Sequence, residues 1–251
     1  MSGEVRIIPV CGIGEVYPGD DLAATILTAL EAQDFPLLDG DVLVVTQKIV
    51  SKAESRIVSP DTVEPSHIAQ MAAAQGTKDA NYYEIVLRES RRIVKMDRGV
   101  LVTETHHGLI CANAGVDESN VSGGRTVTLL PVDPDASAAA LRATIQERIG
   151  CTVAVIISDT FGRPWREGQV NVAIGVAGIA PLADYANQQD RYGYTMRATL
   201  IGVADELASA AELVMGKIDA VPVAVIRGYA YTQSEGSARM LIRAPERDLF
   251  R

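Results

Sequence analysis

Five apolar residues, Val153 to Ile157, run directly into Ser158-Asp159-Thr160-Phe161-Gly162-Arg163-Pro164-Trp165-Arg166, and this stretch constrains the chain more than any other. The apolar run reads as a buried strand with an acid, a hydroxyl and two arginines crowded at its end. In α/β-type sheets, ligands tend to bind outside the carboxyl ends of strands. Asp159 and Thr160 offer hard oxygen atoms of the kind Mg²⁺ or Mn²⁺ accepts. Arg163 and Arg166 offer guanidinium groups for phosphate or carboxylate oxygens. A helix N-cap at Asp159 with solvent-facing arginines explains the same stretch equally well.

The remaining pattern places that strand among mixed elements. Val5 to Val10, Val42 to Thr46 and Val221 to Ile226 read as further strands, and Gln169 to Ala180 as a half-buried one. Short apolar runs at Val100 to Thr103, Gly108 to Ala112 and Val127 to Leu130 suggest an antiparallel or mixed sheet. Helices are expected after Asp20-Asp21, from Pro65 in a first helical turn through Met71 to Ala74, across Asp79 to Ser90, from Asp133-Pro134 to Ile149, and over Asp205 to Met215. Strands and helices do not alternate strictly. The expectation is therefore an α+β fold of mixed, largely antiparallel sheets with packed helices. Residues 1–251 are read as a single domain or two interleaved subdomains.

Acidic residues exceed basic ones by 32 to 23, giving a net charge of −9. That balance argues against non-specific nucleic-acid binding, because the chain would repel a phosphate backbone. An anionic ligand then needs local cations or a metal. No signal peptide and no apolar run long enough for a membrane span is read from the sequence. Cys11, Cys111 and Cys151 are far apart and form no CxxC pair, so buried free thiols in a reducing cytoplasm are expected.

Gly12-Ile13-Gly14-Glu15-Val16-Tyr17 half-matches a dinucleotide fingerprint. However, Tyr17 replaces its third glycine and Pro18-Gly19 breaks the chain where a helix should open, so a Rossmann site is rejected. The segment is a plain turn or a source of backbone N–H groups for a phosphate or base. No GxxxxGK[ST] motif exists, so a P-loop is excluded. Lys48 and Lys52, four apart after a strand, share a face if their segment is helical, and form either a phosphate site or a pair of solvated lysines. Asn113, Asp117, Glu118 and Asn120 gather in one loop. Asp117 suits a hard metal and Asn120 a base or ribose, with Asx-turns as the plainer reading. Two separated acids, Asp117 and Asp159, are a usual way to hold Mg²⁺ against a triphosphate. His106-His107 lacks a nearby third ligand and reads as a solvated turn, and Asp205-Glu206 as acids complementing a helix dipole.

Taken together, several stretches in order resemble the coenzyme F420-0:L-glutamate ligase family. They are Pro18 to Leu22, Asp41 to Glu54, Ala114 to Val121, Leu130 to Asp135, Ser158 to Arg163, Val203 to Glu206 and Pro222 to Gly228. The resemblance implies that family's fold, an intertwined homodimer, a cytoplasmic setting, and a stand-alone form without a flavin-binding extension. It implies GTP-dependent ligation of L-glutamate to coenzyme F420-0, then to F420-1, with a pair of Mg²⁺ or Mn²⁺ ions per subunit and K⁺ as a further candidate ion. By position, Asp117, Asp159 and Thr160 would bind metal, with Asp117 and Asp159 as the catalytic pair. Ile13, Gly14, Glu15, Val16, Gln47, Lys48, Lys52 and Asn120 would contact GTP, and the Met215 to Val221 loop would form a further nucleotide segment. There are three departures: Ser55 stands where glycine is frequent, Lys217 where some members have an acid, and Glu118 where a small residue is commoner. A metal-dependent nucleotide phosphohydrolase and a non-catalytic F420- or nucleotide-binding paralogue are the alternative readings.

Overall fold

The computed structural model describes residues 3–118 and 126–248. In chain order, β1 (Arg6–Pro9), α1 (Leu22–Ala32), β2 (Val42–Thr46), α2 (Gln47–Ala53) and β3 (Ile57–Val58) come first. Next are α3 (His67–Ala73), α4 (Ala80–Arg88), β4 (Ser90–Asp97), β5 (Val100–Thr105), β6 (Ile110–Ala112) and β7 (Val127–Thr128). The second half holds α5 (Pro134–Ile149), β8 (Ala154–Arg163), β9 (Arg166–Ala177), β10 (Ala183–Asp184), β11 (Leu200–Ile201), α6 (Val203–Met215) and β12 (Val223–Arg227).

The main sheet has five strands in the order β1-β12-β2-β8-β9. Only β2 and β8 run parallel, with Val42 to Thr46 opposite Ala154 to Ser158; the other neighbours are antiparallel. Both faces of the sheet are covered, which explains why its strands read as unbroken apolar runs. Leu43, Val45, Val155 and Ile157 pack with Ile26 and Leu30 of α1 and Leu141 and Ile145 of α5. Val42, Val44 and Ile156 face the other way, onto Ala204, Leu207, Ala208 and Ala211 of α6. Gly175 of β9 lets α5 approach closely, since a Cβ there would lie 2.3 Å from the Pro134 carbonyl oxygen. A third apolar cluster joins α3, α4 and β5 through Ala69, Ala72, Tyr83, Val86 and Leu101. Beside it, β4-β5-β6 form an antiparallel sheet, and β3 pairs antiparallel with β7. The expected α+β class with mixed, largely antiparallel sheets is the one observed.

Local capping chemistry set most helix starts. Asp21, Asp79 and Asp133 accept hydrogen bonds from the backbone N–H groups of Ala24, Tyr82 and Ala136. Pro65 is not in the first turn of α3; Ser66 is the cap, accepting from Ala69 N, and Pro65 precedes it. β4 was not anticipated, because its sequence SRRIVKMD is almost wholly exposed and lacks a buried alternate face. Cys11 is exposed, whereas Cys111 is buried and Cys151 half-buried, so a common buried environment for the three thiols is overturned. No helix among the described residues is long and apolar enough to cross a membrane.

Candidate functional site

β8 does not end at Ile157. It spans ten residues in all, Ala154–Arg163, and turns through Pro164-Trp165 into β9. Asp159 is therefore not a helix N-cap. β2 stops opposite Ser158, so Asp159 and Thr160 project past the carboxyl end of the parallel pair, where β2 turns into α2. The hairpin register shifts between Ile157 and Ser158. A bulge at that point re-aims side chains, and Ser158, Asp159 and Thr160 all line one cavity.

That cavity, of about 660 Å³, collects Ile13, Gly14, Glu15 and Val16 after β1, and Gln47, Lys48 and Lys52 on α2. Asp117, Asp159, Thr160, Asn171, Glu212 and the 216–222 loop complete its wall. Every described residue to which the family resemblance gives a metal or GTP role meets here; Asn120 lies outside the described range. Arg163 and Arg166 do not line the cavity. The Arg163 guanidinium is instead directed to the carbonyls of Glu167, at 2.7 Å, and Gly168.

The helical geometry of α2 brings Lys48 and Lys52 to one face as their spacing required. Neither is a solvated lysine. Lys52 is only 5% exposed and donates to Glu15 Oε1 at 2.5 Å, while Lys48 Nζ lies 2.9 Å from Asp117 Oδ2. A lysine this buried is rare without a partner, and the partner here comes from a loop, not from the core. Ile13 and Val16 point into the apolar core, so what their segment offers a ligand is backbone. Gln47 is buried and accepts from Ser51 Oγ at 2.7 Å.

Burial pushes the half-buried Asp159 carboxyl up from its ordinary 3.8 to about 6, and the neighbouring Asp117 carboxylate adds to the rise. A hydrogen bond from the Thr160 backbone and the charges of Lys217 and Lys48 oppose it. Ser158 Oγ, also against the cavity, is buried with no hydrogen-bond partner among the described residues. Asn171 and Glu212 were not anticipated: Thr160 Oγ1 donates to Asn171 Oδ1 at 2.7 Å, and Asn171 Nδ2 to Glu212 Oε2 at 2.7 Å. The polar alternation Gln169-Asn171 within β9 was the available signal for Asn171. Glu212 carries none, because only the packing of α6 on β9 brings it near.

Among the described residues, no three His, Cys, Asp or Glu side chains gather into a ready-made metal cage. The donors present, two carboxylates and hydroxyls, still fit a hard cation. Mg²⁺-type ions are commonly held by one or two carboxylates together with substrate phosphates. The orphaned Ser158 hydroxyl and the raised Asp159 pKa are both unmet demands that such a ligand would satisfy.

Comparison with known proteins identifies the family. The family model for F420-0:gamma-glutamyl ligase matches residues 12–228. A protein of Methanothermobacter thermautotrophicus named coenzyme F420:L-glutamate ligase is 47% identical, over 98% of this chain and 99% of its own length. Proteins of the same name from Methanopyrus kandleri and Methanocaldococcus jannaschii are 45% and 42% identical, the first over 98% of both chains and the second over the whole of both. With the match spanning both the sheet and the cavity walls, this chain belongs to the F420-0:gamma-glutamyl ligase family.

Proposed function

We propose that this protein joins L-glutamate to coenzyme F420-0 at the expense of GTP, and extends F420-1 in a second round, acting as a homodimer. The terminal carboxylate of F420-0 attacks the γ-phosphorus of GTP, giving an acyl phosphate and GDP. The glutamate α-amine then attacks the acyl carbon, loses a proton, and expels phosphate. The observation that carries this reading is the single cavity in which Lys48, Lys52, Asp117, Asp159 and Thr160 converge at the carboxyl ends of β2 and β8.

Phosphoryl transfer needs positioning and charge neutralisation more than covalent help, and the residue types match that need. The backbone at Ile13 to Val16 and the side chains of Lys48 and Lys52 line the cavity, and in this reading they hold the triphosphate oxygens. When bound, Mg²⁺ or Mn²⁺ would be held by Asp117 and Asp159 and would offset charge developing on the transferred phosphoryl group. Lys48 pairs with Asp117, so a phosphate drawing on that lysine would release the carboxylate for the cation. Asn171, through Thr160, orients a hydroxyl at the same wall.

Purified protein with F420-0, L-glutamate, GTP and Mn²⁺ should yield F420-1 and F420-2, resolved by mass, with stoichiometric GDP. Phosphate release that requires neither F420-0 nor glutamate would replace this reading with a nucleotide phosphohydrolase. Ligand binding without turnover would replace it with a non-catalytic paralogue.

A further inference from the structure

The loop that follows α6 brings a fixed positive charge to the hydroxyl expected to hold metal. α6 ends at Met215, and Gly216 at φ +60° and ψ −176° turns the chain back toward the cavity, a conformation that is essentially confined to glycine. The Lys217 ammonium donates to Thr160 Oγ1 and lies 3.6 Å from Glu212 Oε1. Thr160 donates in turn to Asn171, and Asn171 to the other oxygen of Glu212. These four side chains close a ring.

The proton directions in that ring are determined by its chemistry. An ionised Glu212 only accepts, so Asn171 must face it with its amide nitrogen and present its oxygen to Thr160. The Thr160 proton is therefore committed to Asn171, and the Thr160 oxygen offers its lone pairs toward Lys217. A divalent cation on the remaining lone pair, at about 2.0–2.1 Å, would sit directly beside the ammonium and against its like charge.

Building on the GTP and metal reading above, we infer that each subunit takes one divalent cation, between Asp117 and Asp159, and that the Lys217 ammonium supplies the second positive charge facing the phosphates. Lysine is a suitable substitute, being a compact point charge that binds phosphate without directional demands. The ring holds the ammonium in place before nucleotide arrives. The metal pair implied by the family resemblance is thus reduced to one ion plus one side chain in this chain.

Mn²⁺ binding, followed by the loss of its free-ion electron paramagnetic resonance signal with saturating non-hydrolysable GTP analogue, tests the inference without any turnover. The wild-type protein should bind one Mn²⁺ per chain, and Lys217→Glu, which removes the ammonium and adds a carboxylate, should bind two. The Lys217 side chain is 58% exposed, so the variant is expected to fold, and the wild-type count is decisive by itself. Two Mn²⁺ on the wild-type protein would overturn the inference while leaving the GTP site intact. A Lys217→Glu protein that still binds one would overturn it too. Absence of both nucleotide and Mn²⁺ binding would overturn the site reading on which it rests.

Discussion

At the amino end of β2, Asp41 is 1% exposed and both its oxygens are engaged by Arg227, at 2.8 and 2.6 Å. The Leu38 backbone N–H donates to it as well, and Arg227 lies 4.1 Å above the Phe35 ring. At the carboxyl end of the same strand pair, the charges face a cavity of about 660 Å³ and include ion pairs of Lys48 and Lys52 to loop residues. One carboxyl there is pushed up to about 6, and one hydroxyl has no partner among the described residues. Both ends bury charge, but the first faces no cavity, while the second opens onto one and, among the described residues, leaves the Ser158 hydroxyl without a partner. A closed, bidentate pair joins β2 to β12 and needs nothing further. The open end carries polar groups whose satisfaction awaits a ligand, as is expected where a fold departs from its own stability rules to do chemistry.

Substitutions at the two ends should therefore separate function from stability. Asp159→Asn should lower ligase turnover by about 100- to 1,000-fold or more, since it removes a carboxylate placed against the developing charge. The same change should stabilise the metal-free protein at pH 7 by about 1–3 kcal/mol. The sign follows from the raised pKa: between 3.8 and about 6 the folded protein keeps a proton that the unfolded chain has lost. Stability of the metal-free wild type thus falls as pH rises through that window. Urea denaturation of the Asn variant should lack this slope; an unchanged slope would remove Asp159 from the role assigned to it.

Asp41→Ala should do the reverse. Leaving Arg227 without its partner at the closed end should cost about 2–4 kcal/mol in denaturant unfolding, with nucleotide affinity of the folded protein unchanged. A parallel loss of affinity would mean that the two ends are coupled. Lys52→Ala should weaken GTP-analogue binding by about 10- to 100-fold in calorimetry, the loss of a charge-assisted contact, with much less effect on unfolding. The smallest effect is expected just past α2, where Ser55 adopts φ +61°. That backbone region favours glycine. Ser55→Gly should add about 0.5–1 kcal/mol of stability, and a lower melting temperature would refute the strain.

The helix starts and the main-sheet strands were largely legible in the sequence, because they rest on local signals, whereas the Asp41–Arg227 pair of the closed end joins residues far apart in the chain and was not. Asp21, Asp79 and Asp133 cap their helices through backbone N–H groups three residues on, and the apolar runs of β2, β8 and β12 reflect a sheet covered on both faces. The open end was only partly legible. Lys48 and Lys52 announce themselves by helical spacing, whereas the extension of β8 through Asp159 depends on a hairpin partner, β9, that no local pattern in Ser158 to Arg163 specifies. Thr160 faces Asn171 solely through that register, and Glu212 reaches the site only because α6 packs across β9. The solvent-exposed β4 escaped for a related reason: its strand character comes from pairing with β5 and not from burial.

Hydrogen–deuterium exchange with and without a GTP analogue and Mn²⁺ reads both ends of β2 in one experiment. Added protection is expected at residues 12–17, 46–53 and 216–222, which border the open cavity, with none at residues 36–41 or around Arg227. Protection confined to the Asp41–Arg227 end, or absent from 46–53 despite bound nucleotide, would contradict the placement of the nucleotide at the open end.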